Sequence, residues 1–310
     1  MSDSMNSNQV RVVDPVLTTL ATGYRDPRFV GGLLFPRVPV AISGGQIITF
    51  DKSAFQRYNT SRAPGGATKR MDVGYLGKPY ALLNKALEAS VPREHLRDAK
   101  VMPGVDQAKL KTNAVMGVLL RELEIEQATL ATTLGNYDSA HKVTLAGTAK
   151  WSNAASDPVQ QVDGYKDVVR QTAGVDPNTG VFSPQSWTAF KNNPAVRDRI
   201  KYTNGKDVSL EIAAQLLGLE KVDIGKGIVA DAGGTFSDIW GNSFVLAYTA
   251  LGSLDAAEPS YGYTYTMEGH PMVEVPYWDN NTKSWIYGVS FERAPVLSGI
   301  TSGFLVDAPA

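Results

Sequence analysis

Residues 105–134 constrain this chain most. Leu110, Val115, Val118, Leu119, Leu123, Ile125, Leu130 and Leu134 recur at three-to-four spacing, which is the period of a helix with one apolar face. The segment opens after Pro103-Gly104, with Asp106 placed to favour the helix dipole, and Gly135-Asn136 stops it. Such a helix spans roughly 45 Å at 1.5 Å per residue, longer than most globular helices. It predicts a spine against which the other elements pack. Arg121, Glu122, Glu124 and Glu126 interrupt the pattern, and the three glutamates are expected on a solvated helix face.

What precedes this helix is irregular. Residues 1–40 predict an extended arm, because Pro27, Pro36 and Pro39 with Gly23, Gly31 and Gly32 block a long helix between Thr22 and Val40. Phe29, Val30, Leu33, Leu34 and Phe35 are too apolar to remain in water. The arm therefore lies against its own subunit or against a neighbour. Residues 46–91 read as two strands around a long tip. Gln46–Phe50 follows the Gly44-Gly45 break, and Leu83, Leu87, Ala89 and Val91 mark the return strand by their period of two, with Lys85 interrupting. The tip is about twenty residues long and carries Arg57, Arg62, Lys69 and Arg70 around Ala63-Pro64-Gly65-Gly66-Ala67. Hairpins need only two to five turn residues, so this tip is either a disordered surface loop or one that orders against another subunit.

Beyond the spine helix the punctuation is strong. Asp157-Pro158, Ser183-Pro184 and Asn193-Pro194 each predict a helix start, the last a brief basic helix to Ile200. A further helix is expected over 207–219. β-Structure follows: Val222–Ile224, Ile228–Ala230, a buried Phe244–Tyr248, Tyr263 and Tyr265 among threonines, and a hairpin around Asn280-Asn281 leading into Trp285–Val289. The fold class is α+β.

The residues exclude more chemistry than they suggest. There is no cysteine, which removes disulfides, thiolate nucleophiles and zinc clusters. His95, His141 and His270 are scattered. No glycine pair fits a phosphate loop, Gly225-Lys226-Gly227 leads into a strand, and no G-x-S-x-G elbow occurs. Tyr277, Trp278 and Trp285 read as packing aromatics. No cofactor and no metal site is expected. The net charge of −1 argues against a dedicated nucleic-acid binder, though not against a protein that encloses nucleic acid. No apolar run of membrane-spanning length or signal-peptide pattern is visible.

The order of these segments resembles the HK97-type major capsid proteins of tailed bacteriophages. The similar segments are Gly23-Tyr24 through Phe29-Val30-Gly31 to Leu34–Val40, Trp151-Ser152 with Asp157-Pro158, Val181–Trp187, Asn193–Thr203, and the closing Gly303–Ala308. The resemblance implies an HK97-like capsid fold: an N-terminal arm over 1–43, an E-loop over 44–91, a peripheral domain over 92–203 with its spine helix at 105–134, an axial domain over 204–265, and return strands over 266–310. It implies a non-enzymatic shell subunit, forming hexamers and pentamers of an icosahedral head around double-stranded DNA in the host bacterial cytoplasm. Inter-subunit contact is expected at Phe29, Leu34, Phe35, Arg57, Arg62, Lys69 and Arg70. A separate scaffolding protein, a portal and a decoration protein are the other expected partners, with no membrane. Two alternatives share the fold class: an encapsulin-type compartment shell, which nuclease-protected DNA would exclude, and an α+β enzyme, which would need a pocket with perturbed titratable groups.

Overall fold

A computed structural model of the protein describes residues 13–24, 26–50, 61–62, 75–99, 106–201, 208–250 and 260–310. The N-terminal segment is not extended throughout. Asp14 caps α1 (Pro15–Gly23), its carboxylate accepting from the backbone N–H groups of Val16 and Leu17. Leu17 and Ala21 of this helix are buried against the long helix and its sheet. From residue 22 the prolines and glycines act as expected: only the single turn α2 (Gly31–Leu34) and the strand β1 (Arg37–Val40) form.

β2 (Gly44–Phe50) and β3 (Tyr75–Ala81) make an antiparallel ribbon, in register from Gly44 opposite Ala81 to Phe50 opposite Tyr75. Gly44 and Gly45 open the strand instead of breaking it. The ring of Tyr80 sits 2.9 Å from where a Cβ on Gly45 would lie, so a side chain there would force that ring to shift. The expected return strand exists as β4 (Leu83–Pro92), but its partner lies near the C-terminal end of the chain and not in β2. Tyr75–Ala81 escaped the period-two reading because Gly77 and Pro79 break its apolar alternation. Most of the 51–74 connection, with Arg57, Lys69 and Arg70, falls outside the described residues; Arg62 is described and exposed.

After α3 (Arg93–Ala99), the spine helix α4 (Gln107–Thr132) starts at Asp106, whose side chain accepts from the N–H of Lys109. It buries Val115, Met116, Leu119, Leu120 and Leu123 on one stretch and Ala128 and Ala131 on the next. Leu110 and Val118 remain exposed. β5 (Lys142–Thr144) leads to α5 (Pro158–Ala173), β6 (Thr179–Phe182), α6 (Pro184–Asn192) and α7 (Pro194–Ile200). Asp157, Ser183 and Asn193 each cap the following helix through a side-chain oxygen, as their positions before proline predict. α8 (Leu210–Leu217) is shorter than expected because Ser209 caps it and Gly218 ends it at φ 60°.

The remaining strands are β7 (Lys221–Ile224), β8 (Ile228–Ala230), β9 (Phe236–Asp238), β10 (Ser243–Ala247), β11 (Gly262–Met267), β12 (Met272–Val273), β13 (Tyr277–Asp279), β14 (Ser284–Leu297) and β15 (Gly303–Asp307). Among the described residues they build two main sheets. One runs β5-β15-β10-β6-β7. The other runs β1-β11-β14-β12, with β13 and β4 also paired to the long β14. β8 and β9 form a separate ribbon.

Each sheet has its own core. α5 to α8 pack on the first sheet around Trp151, Phe182, Phe190 and Phe244. α1 and α4 pack on the second around Val91, Tyr287, Val289 and Phe291. A third cluster joins the two, with Phe35, Trp240, Tyr261 and Leu305 buried against Ala128 and Ala131 of α4. The first sheet takes strands from both sides of residue 204, with β5 and β6 before it and β7, β10 and β15 after it. All five residues of β10 are buried, and it is paired on both edges, by β6 and β15.

Candidate functional site

The glutamates of α4 do not share one solvated face: Glu122 and Glu126 are partly exposed, whereas Glu124 is buried. Spacing i, i+2 sends them to opposite sides of the helix, and each side receives them differently. Glu124 is 2% exposed. One of its carboxylate oxygens accepts from the N–H of Val30 at 2.9 Å and from the indole N–H of Trp240 at 2.7 Å, and the other from the N–H of Gly31 at 2.9 Å. Burial pushes its carboxyl above the ordinary value, while the three donors pull it back. Gly31 makes this approach possible, since a Cβ there would lie 2.3 Å from Gln127 Oε1 and 2.9 Å from Glu124 Oε2. Gln127 donates in turn to Thr264 Oγ1 at 2.8 Å, which donates to the Phe35 carbonyl.

On the other side of α4, Glu122 and Glu126 meet Lys85 of β4 at 2.9 and 3.4 Å. They also meet Arg293 of β14 at 3.5 and 3.4 Å. The Arg293 side chain is wholly buried and lies over the Phe291 ring at 4.9 Å, with Arg37 also against that ring. Burial pulls the guanidinium of Arg293 down, opposed by Glu126 and Glu122, whereas the hydrogen bond that Lys85 donates to Glu122 holds its ammonium up. Lys85 breaks the apolar alternation of β4 because it faces carboxylates, a signal present in the sequence but uninterpretable without its partner.

These contacts fasten the arm, the ribbon's continuation and the β8–β9 ribbon to one helix. Both oxygens of Glu124 accept from fixed donors, so the group acts as a clamp. No group of His, Cys, Asp and Glu among the described residues is arranged to hold a metal ion. No described helix is long and apolar enough to cross a membrane.

The expected contact residues divide. Leu34 and Phe35 are fully buried in the subunit's own core, and Phe29 is half-buried against the α1–α4 cluster. Leu34 and Phe35 therefore anchor the arm to its own body and leave no surface for a neighbour. Phe35 packs on Tyr261 at 5.5 Å, and Tyr261 bonds Tyr137 through their hydroxyls. The β2–β3 ribbon is rooted by stacking of Tyr80 on Tyr265 at 4.3 Å and, among the described residues, has no other strand paired to it. The β8–β9 ribbon exposes Phe236 and Ile228.

Residues 128–289 match the family described as phage major capsid protein E. The chain is 33% identical over 303 residues to the major capsid protein of Burkholderia phage BcepMu, covering 96% of this chain and 97% of that one. It is also similar to a phage-related protein of Bordetella bronchiseptica RB50, with 43% identity, a TM-score of 0.81, and 97% and 99% of the two chains covered. The mature capsid of bacteriophage PhiM1 shares the fold at a TM-score of 0.54, with 14% identity over 92% of this chain and 88% of the other.

Proposed function

The chain belongs to the phage major capsid protein E family, and from that membership we propose how it builds a shell. It is a major capsid protein of tailed phages, a structural component of the virion and not an enzyme. Our reading is that copies assemble as hexamers and pentamers of an icosahedral head around double-stranded DNA, in the cytoplasm of a bacterial host. The six-stranded sheet with α1 and α4 serves as the peripheral lobe. The five-stranded sheet with α5 to α8 serves as the axial lobe, in place of a division at residue 204. Scaffolding, portal and decoration proteins are separate partners.

The observation that carries this is the β2–β3 ribbon. Seven residue pairs long, it reaches about 23 Å at 3.3 Å per residue, yet pairs with no third strand among the described residues. A two-stranded ribbon is marginal alone, so it supports an element that a neighbouring subunit completes. It bears the basic 51–74 connection, with Arg57, Arg62, Lys69 and Arg70. A reaching contact from every subunit multiplies weak interfaces through effective concentration.

Charge reversal of Arg62 and Arg70 to Glu should leave the subunit folded by circular dichroism and abolish particles in electron micrographs. Normal particles from that double variant would refute the reading. The net charge of −1 accords with a wall that encloses DNA without condensing it. Similarity to a phage capsid protein over 96% of the chain favours a head over a compartment shell; DNA protected from nuclease inside purified particles is the corresponding test.

A further inference from the structure

We propose that the outer side of α4, together with the open edge of β4, is a docking groove for an acidic amphipathic helix of a separate protein.

The fold leaves one apolar stripe of the spine helix uncovered. Val115, Leu119 and Leu123 turn to the sheet and are buried. Leu110, Ala114 and Val118 follow one another at i, i+4 and i+8 on the far side, and all three are exposed. Leu110 keeps 54% and Val118 47% of its surface open. The row continues to the half-buried Ile125, about 22 Å along the axis at 1.5 Å per residue. β4 borders it, because Lys85 reaches Glu122 and Glu126 across the gap. Leu83 and Leu87 flank Lys85 on the same face by strand alternation and are exposed as well. Among the described residues β4 is paired on one edge only, to β14, so no strand closes the groove on that side. Single exposed apolar residues are ordinary, but four large ones gathered from two elements along one seam mark a contact surface.

Charge selects the occupant. Lys109, Lys111 and Arg121 of α4 are exposed or half-exposed beside the stripe, and among the described residues none of the three sits in an ion pair. Arg121 acts on Asp26 only through space, and that carboxylate is already held by Arg28 at 2.6 Å. The carboxylates on this side, Glu122 and Glu126, are engaged by Lys85 and Arg293. The groove therefore offers apolar surface flanked by uncompensated positive charge. What matches it carries large apolar side chains at helical spacing with carboxylates alongside, and lays them along α4. Ala114 leaves a dip between Leu110 and Val118 that receives one such side chain. No other described helix of this chain exposes an apolar row flanked by carboxylates, so the occupant comes from a different protein.

The test uses the full chain and two synthetic peptides of about eighteen residues, or five helical turns. One carries leucine at three-to-four spacing with glutamate beside it; the other has lysine in place of glutamate. Fluorescence anisotropy should show binding of the glutamate peptide, weakened by added salt, and at least about tenfold weaker binding of the lysine peptide. Leu110→Ser with Val118→Ser removes the apolar row, and Lys109→Glu with Lys111→Glu reverses the flank. Each pair should weaken the glutamate peptide at least about tenfold, while thermal melting establishes that both variants are folded. Equal binding of the two peptides, binding of neither, or variants that bind as the wild type does would overturn the groove. Self-association of the chain that Leu110→Ser with Val118→Ser abolishes, without binding of the glutamate peptide, would assign the stripe to a second copy and overturn the separate partner.

Discussion

The indole N–H of Trp240 donates to the carboxylate of Glu124 at 2.7 Å, across 116 positions of sequence and with both side chains buried. The same carboxylate holds Val30 and Gly31. One ionisable group thereby fixes the arm and the base of the β8–β9 ribbon to the middle of α4.

Replacing Trp240 by Phe removes one charge-assisted bond and leaves part of a buried carboxylate unsatisfied. We expect a loss of about 2 kcal/mol, read as a lower midpoint in chemical denaturation. Trp278→Phe serves as control, because its indole bonds the exposed Asn280, and should change little.

The same carboxylate predicts a pH dependence. Its native value stands above the ordinary 4.5 because burial outweighs the donors. The native state therefore keeps this proton to higher pH than the unfolded chain does. The contribution of Glu124 is full below about pH 4.5 and is lost as pH rises through the raised native value. Measured from about pH 4 to about pH 8, the stability of the wild type relative to Glu124→Gln should decline with rising pH. A flat difference would contradict this.

The cluster on the opposite side of α4 should respond unevenly. Lys85 is partly exposed and its loss in Lys85→Ala should cost about 1 kcal/mol or less. Arg293 is buried between Glu126 and Phe291, and Arg293→Ala should cost more, about 2–4 kcal/mol, since it empties a packed site over the Phe291 ring while Glu122 and Glu126 keep Lys85. The double variant should depart from additivity, because both cations share Glu122 and Glu126.

The root of the ribbon offers a variant that separates folding from assembly. Tyr80 stacks on Tyr265 with an interplanar angle of 11°, and burial pushes the Tyr265 hydroxyl up to about 12. Tyr80→Ala should cost the subunit about 1 kcal/mol while reducing particle yield by a much larger factor, seen by size-exclusion chromatography.

What the sequence revealed follows the range of the forces involved. Caps are local, so Asp157, Ser183 and Asn193 announce their helices and the structure places them there. The hairpin of β13 and β14 is equally local and equally legible. Strand choice is not local: the partner of Leu83–Pro92 lies some two hundred residues away, and its period of two says nothing of which strand it joins. Glu124 was hidden for the same reason, since a glutamate on a helix signals a wet face until Trp240 and Gly31 are brought to it. The helix at Pro15–Gly23 was hidden within a segment whose later prolines suggest extension, although Asp14-Pro15 carries the same cap signal as Asp157-Pro158.

β4 follows β3 directly and pairs with β14 over ten consecutive positions, from Leu83 opposite Arg293 to Pro92 opposite Ser284. A neighbour that tugs on the ribbon therefore loads β4 along its own length. In that direction the rungs resist in shear, all strained together, instead of opening one after another like a zip. Under such a load the ten rungs between β4 and β14 would share the force, and the strength of the joint would be the sum of its rungs.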